Sequence, residues 1–170
     1  MGSLQEALPR PVDAATEQEF LEILKRKMAS AAAMTVEAVR TAQSLYGQEA
    51  YDAIRDNLLR NSVAAARERG ATAGDTSVRA FCTALEGRCH GSHEWEKLED
   101  SEDRQAYRFT RCMLAEIYRD LDAEDIGLWI CDGDGPVAAG FNPRIRFQRT
   151  QTLMVGDECC DHVYYAEGDA

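Results

Sequence analysis

The stretch from residue 127 to residue 165, GLWICDGDGPVAAGFNPRIRFQRTQTLMVGDECCDHVYY, decides how the chain is read. Before it, helix formers dominate; from Gly127 onward, β-branched and aromatic residues are separated by Gly, Pro and Asn, the texture of short strands and turns. Leu128–Cys131 reads as a strand, Asp132-Gly133-Asp134-Gly135-Pro136 as a turn and Val137–Phe141 as the hairpin partner, which Asn142-Pro143 breaks. Ile145, Phe147 and Arg149 alternate with Arg146, Gln148 and Thr150, predicting a half-buried strand that continues towards Met154. Gly156-Asp157 then turns the chain into a last strand, Asp161–Tyr165.

Upstream the period is helical. Phe20, Ile23, Leu24, Lys27 and Met28 fall on i, i+3, i+4 steps and predict a helix from about Asp13 to Tyr46, stopped by Gly47. A second runs from about Gln48 to Arg69, with Tyr51, Ile54, Leu58 and Ala65 on one stripe and Gly70 at its end. Asp75 or Thr76 caps a third through Val78, Phe81, Cys82 and Leu85, interrupted by Gly87. His90–Asp103 is less regular, and a fourth helix is predicted from about Glu102 to Leu121, carrying Tyr107, Leu114, Ile117, Tyr118 and Leu121. Helices first and strands afterwards predict an α+β domain: an N-terminal layer of about four helices packed on a small C-terminal antiparallel sheet, with the strands in a meander. Residues 1–12, with Pro9 and Pro11, read as a flexible arm, and residues 13–170 as one domain.

Composition narrows the function. With 170 residues the chain can bury roughly 70% of the surface its unfolded form exposes, so a core forms without staples. Nineteen basic against 30 acidic residues leave a charge of 19 − 30 = −11, and no basic cluster relieves it, so nucleic acid is not an expected partner. The longest apolar-looking stretch, Ala29–Met34, is made mostly of Ala and is far below the roughly 20 residues of a membrane span, so no membrane partner is expected either. The first twelve residues lack a basic end and an apolar run, which argues against a secretory signal and for a cytoplasmic protein. In that compartment the six cysteines, at 82, 89, 112, 131, 159 and 160, are expected as thiols.

Reactive side chains concentrate in the tail: Cys131, Asp132, Asp134, Asn142, Cys159, Cys160, Asp161 and His162. A thiol, carboxylates and an imidazole on one rim meet the needs of nucleophilic or acid–base catalysis. On an extended strand Cys160 and His162 share a face and Asp161 takes the other, so these consecutive residues make no triad alone. A third member must come from elsewhere, Asp132 and Asp134 being the available carboxylates. The plainer reading is a polar hairpin edge. A calcium loop starting at Asp132 fails, because Pro143 occupies the twelfth position, where a Glu is needed. Cys89, His90 and His93 are zinc-ligand types without an HExxH order, and Cys112 lies close to Leu114 and Ile117, where burial competes with a site role.

The segment RTQTLMVGDECCDHVYY, Arg149–Tyr165, together with Arg111-Cys112, Cys131-Asp132 and Phe141-Asn142-Pro143, resembles the L-2-amino-thiazoline-4-carboxylic acid hydrolase family over about Tyr107–Tyr165. The resemblance implies hydrolytic opening of a small cyclic amidine. Water must add at the carbon joining N, S and the exocyclic amine, after which the C–S bond breaks. A carboxylate stabilises the protonated ring, for which Asp132 or Asp161 is the candidate; His162 suits protonation of the departing thiolate or activation of water. Cys160 or Cys112 is the candidate nucleophile. The substrate carboxylate needs an Arg fork, and Arg149, Arg146 and Arg111 are the nearby candidates, with Asn142 and Cys131 beside them as binding residues. No cofactor or metal is expected on this reading. The alternatives are a related enzyme acting on another heterocycle, or a non-catalytic binding domain in which Cys112, Cys131, Cys160 and His162 converge on zinc. The oligomeric state stays open, a homo-oligomer included.

Overall fold

In a computed structural model that describes residue 5 and residues 8–168, the first long helix, α1 (Ala14–Tyr46), starts where the Asp13 carboxylate accepts a hydrogen bond from the Thr16 amide. It stops at Gly47, whose φ of 79° is open to glycine at little cost. α2 (Gln48–Thr72) folds back along it, and α3 (Val78–Cys89) is capped by the Ser77 side chain. The arm expected over residues 1–12 lies partly outside the described residues; within them, Gln5 exchanges hydrogen bonds with the backbone of Val12.

From here the chain departs from the predicted order. The region read as an irregular segment and a fourth helix from Glu102 is instead a hairpin, β1 (His93–Asp100) and β2 (Arg104–Cys112), and only Met113–Asp120 is helical, as α4. The reason is a period of two: Gln105, Tyr107 and Phe109 are buried on one face while Arg108 and Thr110 are exposed on the other, with only the small Ala106 buried there, so the aromatics fill one face of a sheet. The predicted hairpin over residues 128–141 is also overturned. Glu124–Asp132 is a helix, α5, and Asp134–Phe141 another, α6. Glu124 and Asp125 occupy the first turn of α5, where the dipole favours acid, and Pro136 sits in the first turn of α6, where its missing N–H costs nothing. The strand expected to run from Ile145 towards Met154 ends early: β3 spans Ile145–Gln148, and a single 3-10 turn covers Leu153–Val155. β4 (Cys160–Ala166) closes the fold.

The sheet order is β1-β2-β4-β3, antiparallel throughout, so the strands do not form the predicted meander: β4 inserts between β2 and β3. The helices α4 to α6 carry the chain across from β2 to β3. The α+β layout itself is as predicted, helices layered on a small antiparallel sheet.

Two apolar clusters hold the layers. One joins α3 and α6 to the inner face of the sheet through Phe81, Tyr107, Phe109, Ile145 and Tyr164. The other joins α1, α2, α4 and α5 through Val39, Tyr51, Met113, Ile117 and Ile126. Burying a side chain such as Ile117 or Met113, each about 1–2% exposed, contributes about 1.5–3 kcal/mol. Gly70 of α2 lies directly against the Phe141 carbonyl at the end of α6, an approach that any side chain would prevent. Between the two clusters the packing is incomplete, and a cavity remains.

Candidate active site

The cavity measures about 400 Å3 and opens between α1, α3 and the sheet. Leu24 and Met28 of α1, Leu85 and Arg88 of α3, Phe109 and Met154 supply much of its wall, and the reactive groups His93, Cys112, Cys131, Asp134, Cys160 and His162 face it.

A β-bulge puts Cys112 there. Trp95 pairs with Phe109, Glu94 with Arg111 and His93 with Cys112, so Thr110 is an extra residue with no partner on β1. In a regular strand Arg111 would follow Phe109 onto the inner face and Cys112 would point out. The extra residue reverses this, turning Arg111 outward and Cys112 inward beside His93. The Cys112 thiol lies 3.3 Å from His93 Nε2. It also caps α4, accepting from the Ala115 amide at 3.4 Å. Helix-end amides and an imidazole are what a thiol needs to release its proton. At rest, burial pushes the Cys112 thiol up to about 11 and holds His93 below the usual histidine range, so the pair is neutral until a ligand changes its surroundings.

His93 is itself oriented. Buried Ser92 donates its hydroxyl proton to the Cys89 carbonyl and accepts from His93 Nδ1, 2.9 Å away, which leaves Nε2 as the acceptor facing the thiol. The Met113 amide donates to the Ser92 carbonyl at 2.8 Å, so the α4 terminus that carries Cys112 and the loop that carries His93 are tied together.

On the neighbouring strand of the same sheet face, β4 points Cys160 and His162 inward and Asp161 away, the alternation read from the sequence. The Cys160 thiol accepts from the Leu153 amide at 3.3 Å and lies 3.7 Å from Thr152 Oγ1. His162 packs against Phe109 and Phe147, and among the described residues its Nδ1 has no hydrogen-bond partner. Burial, with Arg149 nearby, depresses it to about 4, so it is neutral at ordinary pH. Its Nε2 lies 3.8 Å from Asp134 Oδ2. Asp134 is the first residue of α6, and although Arg149 stands 3.4 Å away, burial raises its carboxyl to about 7.

The remaining predicted site residues stand elsewhere. Asp161 accepts from the amides of Thr150 and Gln151 and from the Thr150 hydroxyl, holding a loop on the outer face of β4. Asp132 is exposed and lines a separate open depression with Arg149. Arg149 bonds the Cys131 carbonyl and pairs with Asp132 and Asp134; Arg111 forks onto Glu116; Arg146 pairs with Glu167. Asn142 bridges the Thr76 carbonyl and the Arg144 amide behind α6. Cys131 stands between the cavity and the open depression, its thiol 3.8 Å from Thr152 Oγ1.

A further arginine faces the cavity: Arg88, in the last turn of α3, makes no ion pair or side-chain hydrogen bond among the described residues, and its charge acts on the Asp134 carboxyl across the cavity. No three or more His, Cys, Asp or Glu side chains among the described residues are grouped to hold one metal ion. Cys112, Cys131, Cys160 and His162 are therefore spread along the walls and do not converge as a zinc site would require. The six cysteines carry no disulfide.

Residues 23–164, which include every side chain of this cavity, match the family described as L-2-amino-thiazoline-4-carboxylic acid hydrolase. The chain belongs to that family. No curated protein matches the chain. Membership supports a hydrolase acting on this type of ring, and the match reaches back through α1, whose Leu24 and Met28 form the apolar wall.

The sequence does not by itself assemble His93, Asp134 and Arg88 into a working set. His93 is legible as a possible ligand, yet its pairing with Cys112 depends on a bulge that leaves no residue signature. Asp134 is legible as an available carboxylate, but the Asp-Gly pattern reads as a turn and hides its place at a helix start, of which Pro136 two residues later is the available sign. Arg88 looks like any cation complementing a helix C-terminus.

Proposed function

We propose that the cavity binds a small carboxylated cyclic amidine, of the 2-aminothiazoline-4-carboxylate type, and that Cys112 attacks it. The observation that carries the reading is the 3.3 Å approach of the Cys112 thiol to His93 Nε2 on a cavity wall. Arg88, unpaired at the rim, takes the substrate carboxylate; the Asp134 carboxylate faces the cationic ring amidine. In the first half, the Cys112 S–H proton passes to His93 Nε2 and sulfur bonds to the carbon between the two nitrogens and the ring sulfur. The ring C–S bond breaks, and the departing thiolate takes the proton back from His93. In the second half water adds to the same carbon of the isothiourea adduct, giving up a proton to His93. The Cys112 S–C bond then breaks, the thiol is reprotonated and an N-carbamoyl-cysteine leaves, so the balance is substrate plus one water. An amidinium beside Asp134 favours its carboxylate, reversing the effect of burial on this acid.

The test is incubation of the purified chain with 2-aminothiazoline-4-carboxylate, followed by mass spectrometry and thiol titration. A gain of one water and one new thiol per substrate is expected, with an acid-quenched adduct on the Cys112 peptide. An unchanged ring at high enzyme concentration would reject the substrate; hydrolysis with Cys112→Ala at full rate would reject the nucleophile.

A further inference from the structure

Arg88, Ile130 and Asp134 line more than the reaction cavity. The same three residues form one wall of a second hollow of about 570 Å3, between α2 and the helices α5 and α6. The two hollows therefore meet at Arg88 and Asp134. At about 400 Å3 the reaction cavity alone is within the roughly 300–1,000 Å3 range that takes a drug-sized ligand, more than a five-membered ring with one carboxylate requires.

The second hollow is two-sided in chemistry. Leu58, Leu59, Val137 and the Trp129 ring give it an apolar floor, and Leu58 is 44% exposed although it lies on the stripe that α2 would normally bury. Arg55, Arg69 and Arg88 border it. Arg55 is paired with Asp52 and Asp56, but among the described residues neither Arg69 nor Arg88 makes an ion pair. Two guanidinium groups free of ion pairs among the described residues, with Asp134 the carboxyl that feels the charge of Arg88, are notable beside one apolar groove in a chain with 30 acidic and 19 basic residues.

We infer that this hollow is a second subsite, which takes an apolar extension of the substrate ending in an anionic group. The extension leaves the ring through its carboxyl carbon, whose amide carbonyl accepts from Arg88 in place of a free carboxylate, lies on Leu58 and Trp129, and ends at Arg69. The ligand class is thus a heterocyclic acyl group joined to an apolar amino acid. This rests on the reading of the first cavity as the ring site, and the experiment separates the two.

Trp129 lies in the hollow, whereas the other tryptophan, Trp95, is buried at 8% in the sheet core, so tryptophan fluorescence reports the subsite. The full chain carrying Cys112→Ala, which holds ligand without turnover, is titrated with the parent ring acid, its amide with phenylalanine, and ring-free N-acetylphenylalanine. The amide exchanges the charged contact at Arg88 for one at Arg69 and adds burial of its phenyl ring, so it should bind about tenfold more tightly than the parent acid, and Arg69→Gln should erase that preference. Leu58→Glu, exposed and therefore safe for folding, should erase it as well. Equal affinity of amide and parent acid, or a preference that survives both substitutions, would overturn the subsite. Binding of N-acetylphenylalanine that depends on Arg69, with no binding of the parent acid, would uphold the subsite and reject the ring site.

Discussion

Two cysteine–histidine pairs line the cavity side by side on the sheet, one from β1 and β2 and one from β4, and they differ in an instructive way. Cys160 and His162 are two residues apart on one strand, close in sequence and on the same face, yet the thiol is engaged by the Leu153 amide and Thr152 while the imidazole turns to Asp134. Cys112 and His93 are nineteen residues apart, on different strands, and their reactive atoms are in contact. Neighbours at i and i+2 of a strand stand side by side, and each then bonds to whatever lies above it. Partners across an antiparallel pair point at one another when register allows. Proximity along the chain is thus a poor guide to a dyad, and cross-strand register a good one.

The sharpest way to break this comparison is to remove each thiol in turn. Cys112→Ala should reduce turnover by about a thousandfold or more, because loss of a nucleophile removes the whole covalent route. Cys160→Ala should leave the rate within about tenfold, the scale of a lost packing contact near a site. Steady-state kinetics with the thiazoline acid reads both, and a reversed order would make β4 the reactive wall.

Next in size are the imidazoles. His93→Ala should cost about 10²–10⁴ in kcat, as expected of a proton carrier, with smaller change in KM. His162→Phe should cost less, since His162 remains neutral down to about pH 4 and touches the chemistry through Asp134. Comparable losses from the two would erase the distinction between the pairs.

Asp134 supplies a pH signature. Folding raises its carboxyl from 3.8 to about 7 by burial, so between these values the folded chain keeps a proton that the unfolded chain releases. Stability should therefore decline as pH rises through this window, and thermal melts of Asp134→Asn should show a flatter dependence across it. In the free enzyme the carboxylate is needed for the ring cation, so kcat/KM should rise through about pH 7 and lose that limb in the same variant.

The smallest effect concerns the support of the β4 wall. Thr152→Val removes the hydroxyl that lies near the Cys160 and Cys131 thiols and accepts from the Met154 amide. It should cost about 1 kcal/mol in denaturant unfolding, the scale of one buried hydrogen bond, with turnover nearly unchanged. A large loss of activity would place the Cys160 side of the cavity in the chemistry.

Much of the fold was legible from local pattern. Apolar spacing, the glycine at 47 and the caps at 13 and near 77 are short-range features, and they place α1, α2 and α3 to within a few residues. The alternation around Ile145 and in Cys160–Ala166 likewise identifies β3 and β4, and puts Cys160 and His162 on one face. Where two periods compete within a short segment, local pattern failed. Tyr107 fits both a helical stripe with Leu114 and a strand alternation with Phe109, and Trp129 and Ile130 are as much strand formers as helix formers. In each case the decision came from what the side chains pack against: α3 and α6 beneath the β2 aromatics, α4 and Met154 beside Gly127.

What the amino-acid order determined by itself is the class of the fold, the thiol, acid and imidazole inventory of the tail, and the family to which the chain belongs. What only the tertiary structure decided is which of those groups meet. Pairing of β1 with β2 and the extra residue at Thr110 brought Cys112 to His93, insertion of β4 beside β2 brought Cys160 and His162 to the same face, and the junction of α5 and α6 carried Asp134 to the cavity. Helix and strand periods are written in neighbouring residues, but register between strands is set by the packing of both faces at once, and no single segment contains that information.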